Sequence, residues 1–251
     1  MKNKFILGLL LTILGLIGVA SILTMDLPIP DEAATILEAQ FTPFQIQLLL
    51  LINPSILLVI AITVGLLFYQ KAGLSVPFLE RISGLRKTID QPLSVVIMGV
   101  VGGIIAGALI TYIGHIFTPF LPAEFTALGE SIKPSIAGRF LYGGITEEIL
   151  MRFGLMSLLV FLTAKIAGHK KAGIYWIGII ISALLFALGH FPIAFQAVPN
   201  PSTLLLVYLI IGNMAGGVIF GWLYWKKGLE SAMIAHIFAH SVMLAAEQFI
   251  A

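Results

Sequence analysis

Two adjacent carboxylates, Glu147 and Glu148, sit with Arg152 inside the apolar run 139–164. Ionisable side chains in such a run are costly to bury, and they normally face a bundle interior or a wet cavity where they have work to do. On a helix Glu148 and Arg152 are four residues apart and share a face, so they can pair. Glu147 points about 100° away and has no partner on its own helix. One carboxylate is thereby neutralised and one left free. This suits Glu147 to general-base chemistry, with Glu148 and Arg152 holding it in place.

Three further polar sites are candidates to join that pair. His190 closes the apolar run 173–190, with Phe186 one turn before it. His236 and His240 are four apart in the run 231–250 and therefore share a helix face. Asn213 lies among the glycines of the run 203–224, where an interhelical hydrogen bond is its expected use. His115 and His169 read as ordinary interfacial residues. Glutamate with histidines admits two chemistries. One is zinc-assisted hydrolysis. The other is metal-free hydrolysis, in which Glu147 activates water and histidines polarise the carbonyl. The His-Glu-x-x-His arrangement of zinc proteases on one helix is absent. With no cysteine in the chain, disulfides, thiolate metal sites and a cysteine nucleophile are excluded.

The elements that must position these residues are membrane helices. The 251 residues are 59% hydrophobic and 10% charged, with a mean hydropathy of +1.06. Apolar runs at 5–24, 44–68, 93–117, 139–164, 173–190, 203–224 and 231–250 are long enough to cross about 30 Å of hydrocarbon. In lipid the backbone must satisfy itself, so they are expected as helices. The fold class is thus an all-α polytopic bundle of about seven spans, forming one integral membrane domain over 1–251. Lys2 and Lys4 precede an apolar stretch too long for a signal-peptide core, which favours an uncleaved signal-anchor.

Loop charges orient the bundle. Lys71, Arg81, Arg86 and Lys87, then Lys165, Lys170 and Lys171, then Lys226 and Lys227 fall in one set of loops. The alternate loops hold Asp26, Asp31, Glu32, Glu38, Glu124 and Glu130, with Lys133 and Arg139 as their cations. A cytoplasmic N-terminus and an external C-terminus in a cell membrane follow. The charge of +2 reflects these loops and not a nucleic-acid surface. Segment 71–91 suits a short interfacial helix, and Asn53-Pro54 a kink. The glycines at 99–103 and 212–221 suit close helix packing. By residue count Glu147 falls near mid-membrane and His190 near the outer end of its helix, so the site assembles only if helices tilt, shift or break.

Taken in order, Glu147-Glu148-Ile149-Leu150-Met151-Arg152, then Phe186 to His190, then His236-Ile237-Phe238-Ala239-His240 resemble the three motifs of the CAAX-processing and bacteriocin-processing membrane proteases. These are also called the Abi family or type II CAAX prenyl endopeptidases. The lead-in Lys227 to Met233 is similar to the family's approach to its third motif. The resemblance covers residues 95–245. It implies an intramembrane glutamate endopeptidase without a cofactor, with Glu147 activating water and His190 assisting. His236 and His240 would form the oxyanion hole, and Arg152 would orient the glutamates. Phe186 and Asn213 would contact substrate, a peptide or membrane protein in the lipid bilayer. His240 departs from the family, which most often carries asparagine there. An imidazole can still donate to an oxyanion, or it can bind zinc. The rival classes are a non-catalytic scaffold or bacteriocin-immunity protein of the same fold, and a proton- or metal-coupled transporter.

Overall fold

The computed structural model describes residues 2–25, 29, 31–131, 134–198 and 200–250. Asp26 and Lys133, which enter the loop-charge reading, lie outside them. Among the described residues there is no strand. The chain runs through α1 (Lys2–Ala20, with a 3₁₀ tail Ser21–Thr24), α2 (Asp31–Glu38), α3 (Pro43–Leu50), α4 (Ile52–Phe68), α5 (Pro77–Ile82) and α6 (Pro92–Phe117). It continues through α7 (Ala123–Ser131), α8 (Gly138–Ala167), α9 (Ala172–Leu188), α10 (Phe191–Ala197), α11 (Thr203–Lys227) and α12 (Leu229–Ile250).

Six stretches are long and apolar enough to cross a membrane: Lys2–Thr24, Pro43–Phe68, Pro92–Phe120, Gly138–Ala167, Thr203–Lys227 and Leu229–Phe249. The seventh expected span, α9, has 17 residues. It is therefore about 25 Å long, short of the roughly 30 Å of hydrocarbon. The protein is a multi-pass helical membrane protein, as its hydropathy requires. The break expected at Asn53-Pro54 falls just before them. α3 ends at Leu50, and Pro54 sits in the first turn of α4, where its missing N–H leaves no gap in the helix.

Small residues set how closely the helices approach. On α6 a Cβ added at Gly99 would lie 2.9 Å from the Ser231 carbonyl oxygen of α12, and at Gly103 and Gly107 it would strike the carbonyls of Ala235 and Ala239. This stripe seats α12 backbone against α6 backbone. Gly217 and Gly221 of α11 likewise receive Ala183 and Ile179 of α9. Between helices in lipid such close van der Waals packing replaces the hydrophobic drive. Thr146 of α8, fully buried, donates to the Gly15 carbonyl of α1 at 2.9 Å. The core so formed holds Leu7, Leu11, Leu58, Ile149, Phe153 and Met156, while Ile56, Ile60 and Ile104 turn outward.

The connection 69–91 folds back under α12 and contains the short helix expected there, α5. Glu230, at the start of α12, accepts the backbone N–H groups of Phe78 and Leu79 at 2.9 Å each, and Leu229 N–H donates to the Ser75 carbonyl. Gly228 makes the turn between α11 and α12 with φ of 101°, a conformation that favours glycine. These bonds fix the register of α12 at the end opposite His240.

Candidate active site

The helix that carries the glutamates departs from α geometry. Residues Gly138–Glu147 and Ile149–Met156 of α8 are π-wound, and Ser157–Ala167 return to an α-helix. Bonding from i to i+5 is rare and concentrates at functional sites. Here it changes which side chains share a face. On an α-helix Tyr142 and Glu147, five apart, would diverge by about 140°. The wider winding narrows that divergence, and Gly138, Arg139, Tyr142, Gly143 and Glu147 all line one cavity.

That cavity, about 410 Å³, lies between α6, α8, α9, α11 and α12. Glu147, His190, His236 and His240 all border it, together with Phe186 and Asn213. His190, expected at another depth from residue count, follows the end of α9 at Leu188, caps α10 and borders the same cavity as Glu147.

Glu148 is fully buried between Arg152 and His236. Its Oε2 lies 3.2 Å from Arg152 Nε, and its Oε1 lies 2.9 Å from His236 Nδ1. The arginine contact is an ion pair without an aligned hydrogen bond, since Glu148 Oε2, Arg152 Nε and Arg152 Nη1 have no such partner among the described residues. Arg152 is instead fixed by Nη2 donating to the Gly217 carbonyl at 3.2 Å. The rings of Phe186 and Phe220 flank its guanidinium, at 5.5 and 5.7 Å from the ring centres. Arg152 thus meets the partner expected from the spacing, and His236 is the member of the triad that spacing along one helix could not reveal. Glu147 keeps its independence. Its side chain is 20% exposed, and its nearest ionic neighbour is His236 Nε2 at 4.0 Å, beyond hydrogen-bonding reach.

The hydrogen bonds assign the imidazole tautomers. A carboxylate only accepts, so His236 Nδ1 carries a proton and donates it to Glu148. His190 Nδ1 donates to the Phe186 carbonyl at 2.9 Å, which leaves Nε2 with a lone pair when the ring is neutral. His240 Nδ1 is buried and unpartnered among the described residues. An unpaired lone pair there costs less than an unpaired N–H, so Nε2 carries the proton. The His236 ring stacks between Phe220 (4.6 Å) and His240 (4.9 Å). The Nε2 atoms of both histidines approach the backbone of α8 at Gly143, where an added Cβ would sit 2.8 Å from the one on His240 and 3.7 Å from that on His236. Among the described residues no three His, Asp or Glu side chains are arranged to hold a metal ion.

Two sequence expectations change in detail. Asn213 borders the cavity, but its Nδ2 donates to Leu209 of its own helix at 2.9 Å instead of crossing to a neighbour. Phe186 packs its edge on His190 at 4.7 Å as well as on Arg152, and so supports two site residues. Tyr142 carries no signal in the sequence, and Arg139 figures there only as a loop charge. Arg139 forms a two-bond ion pair with Glu247 near the cavity, at 2.8 and 3.3 Å, which ties the start of α8 to the end of α12.

Residues 131–242 match the model of a family described as type II CAAX prenyl endopeptidase Rce1-like, the family whose three motifs the chain resembles. The matched span contains Glu147, Glu148, Arg152, His190, His236 and His240. No curated protein and no solved structure matches the chain.

Proposed function

We propose that this membrane protein is an endopeptidase in which Glu147 activates water without a metal. The carrying observation is the unequal treatment of adjacent carboxylates. Glu148 is fully buried and neutralised between Arg152 and His236, whereas Glu147 borders the cavity with no partner in bonding distance. In the reaction Glu147 takes a proton from water as the oxygen attacks the peptide carbonyl carbon. The C–N bond then breaks, and the proton passes from Glu147 to the departing amine. His190 offers its Nε2 lone pair on the same cavity and assists the proton movement.

The oxyanion receives hydrogen bonds from the Nε2–H groups of His236 and His240, whose approach at Gly143 supports a shared role. His236 is held for this by its Nδ1–H bond to Glu148, which orients the Nε2 side of the ring toward Gly143. The Nε2 proton of His240 gives it the donor that asparagine supplies at this place in the family. Zinc ligation through that nitrogen would move the proton to Nδ1, where no acceptor waits, whereas metal-bound histidines donate their second N–H.

The substrate is a peptide segment in or beside the bilayer, and the membrane is the cell membrane with the N-terminus cytoplasmic. The test is cleavage of a randomised peptide library by the purified protein, before and after exhaustive chelation. Chelator-resistant cleavage supports the reading. Zinc bound at one per chain, with activity lost on its removal, would overturn the metal-free mechanism.

A further inference from the structure

A second, smaller cavity of about 250 Å³ adjoins the first and shares Met25 and Tyr142 with it. Its walls come largely from elements outside the matched span. Ile22 and Met25 belong to the end of α1, while Leu50, Pro54 and Leu57 belong to the break between α3 and α4. The lining is mainly apolar, with Asn53 the polar side chain besides Tyr142. The break explains the space. α3 ends at Leu50 and α4 restarts with Pro54 in its first turn, so the two do not continue as one straight cylinder against α1. Leu57 is 47% exposed, so the pocket also opens on the outer surface of the bundle.

Tyr142 is the partition between the two spaces. It stands one π-turn before Glu147 and borders both cavities. A peptide whose carbonyl meets Glu147 therefore lies beside the shared wall of Met25 and Tyr142, from which a flanking side chain reaches the side pocket as Tyr142 turns. Its volume lies below the usual range of about 300–1,000 Å³ for a whole small ligand, which suits one side chain. Met25 adds a flexible wall that adapts to shape.

We propose that this pocket is a specificity subsite for one bulky apolar side chain flanking the scissile bond, with Tyr142 as its inner wall. The inference rests on the peptidase reading above. Burying such a side chain in place of alanine is worth at least about tenfold in kcat/KM.

The experiment compares kcat/KM for library peptides that carry leucine, tryptophan or alanine at each position flanking the bond. Wild type is expected to favour leucine over alanine at one such position by about tenfold or more. Leu57→Trp fills the pocket from a half-exposed site and should bring that ratio close to one. Tyr142→Ala opens the partition and should raise tryptophan relative to leucine. Ile56→Trp, a neighbouring outward residue 54% exposed, should leave the wild-type ratios in place. Elution as a single folded species qualifies each variant, and Tyr142→Ala carries the test if Leu57→Trp misfolds. Ratios unchanged in both pocket variants, or no leucine preference in wild type, would overturn the subsite while leaving the peptidase intact. Absence of any wild-type cleavage would instead remove the peptidase reading and the subsite with it.

Discussion

The same substitution made at two adjacent residues should have unequal consequences for folding. Glu148→Gln removes the one anion that faces Arg152 at 3.2 Å and His236 at 2.9 Å, and all three side chains are buried. The guanidinium then keeps only Gly217 and two aromatic faces, with Nη1 already unpaired among the described residues. Breaking one side of a buried pair typically costs about 3–5 kcal/mol. For a chain of this size each kcal/mol moves the melting temperature by about 2–4 °C, so a fall of roughly 6–20 °C is expected. Glu147→Gln keeps the side-chain shape at a site that is 20% exposed, with its nearest ionic neighbour 4.0 Å away. Its cost should stay under about 1 kcal/mol, a shift of at most about 4 °C. The assay is thermal unfolding in detergent, followed by the fluorescence of Trp176, Trp222 and Trp225. Arg152→Met added to Glu148→Gln should recover much of the loss, because no buried charge is then stranded. Equal melting temperatures for the two single variants would refute the division of roles between the glutamates.

The remaining predictions concern the donors, the backbone beneath them and the orientation. His240→Asn should retain peptidase activity because an amide restores an N–H donor, whereas His240→Ala should lose about 10²–10³ in rate; equal loss in both would contradict donation. Gly143→Ala should depress kcat, because its Cβ would sit 2.8 Å from His240 Nε2 and displace it. A turnover equal to wild type would place the imidazole elsewhere. Reporter fusions after Arg86 and Lys171 should read cytoplasmic, and fusions after Glu38 and at the C-terminus external. An external signal at Lys171 would overturn the orientation.

The spans were legible because lipid leaves the backbone no alternative to the helix, and the apolar runs 93–117 and 139–164 fall almost on α6 and on the start and body of α8. The Glu148–Arg152 pair was legible for a similarly local reason, since four residues on one helix bring it together. What sequence could not show depends on tertiary contact. His236 joins Glu148 across 88 positions, and no periodicity on α12 selects a particular partner. The π winding of Gly138–Glu147 was invisible too, and with it the place of Tyr142 beside Glu147 on one cavity. The glycines there do carry a signal in retrospect. Gly143 and Gly144 leave room for His240 and Ile237, and a side chain at either would push α12 away. Asn213 bonds within its own helix because Leu209 lies one turn behind it, a local alternative that competes with any neighbour.

The central claim is that Glu147 is the base, and the most direct measurement is the turnover of Glu147→Gln on a peptide that the wild type cleaves, in protein shown to melt with the wild type. The account predicts a fall in kcat of about 10²–10⁴, the usual cost of losing a general base. A folded Glu147→Gln protein turning over within tenfold of wild type would contradict it.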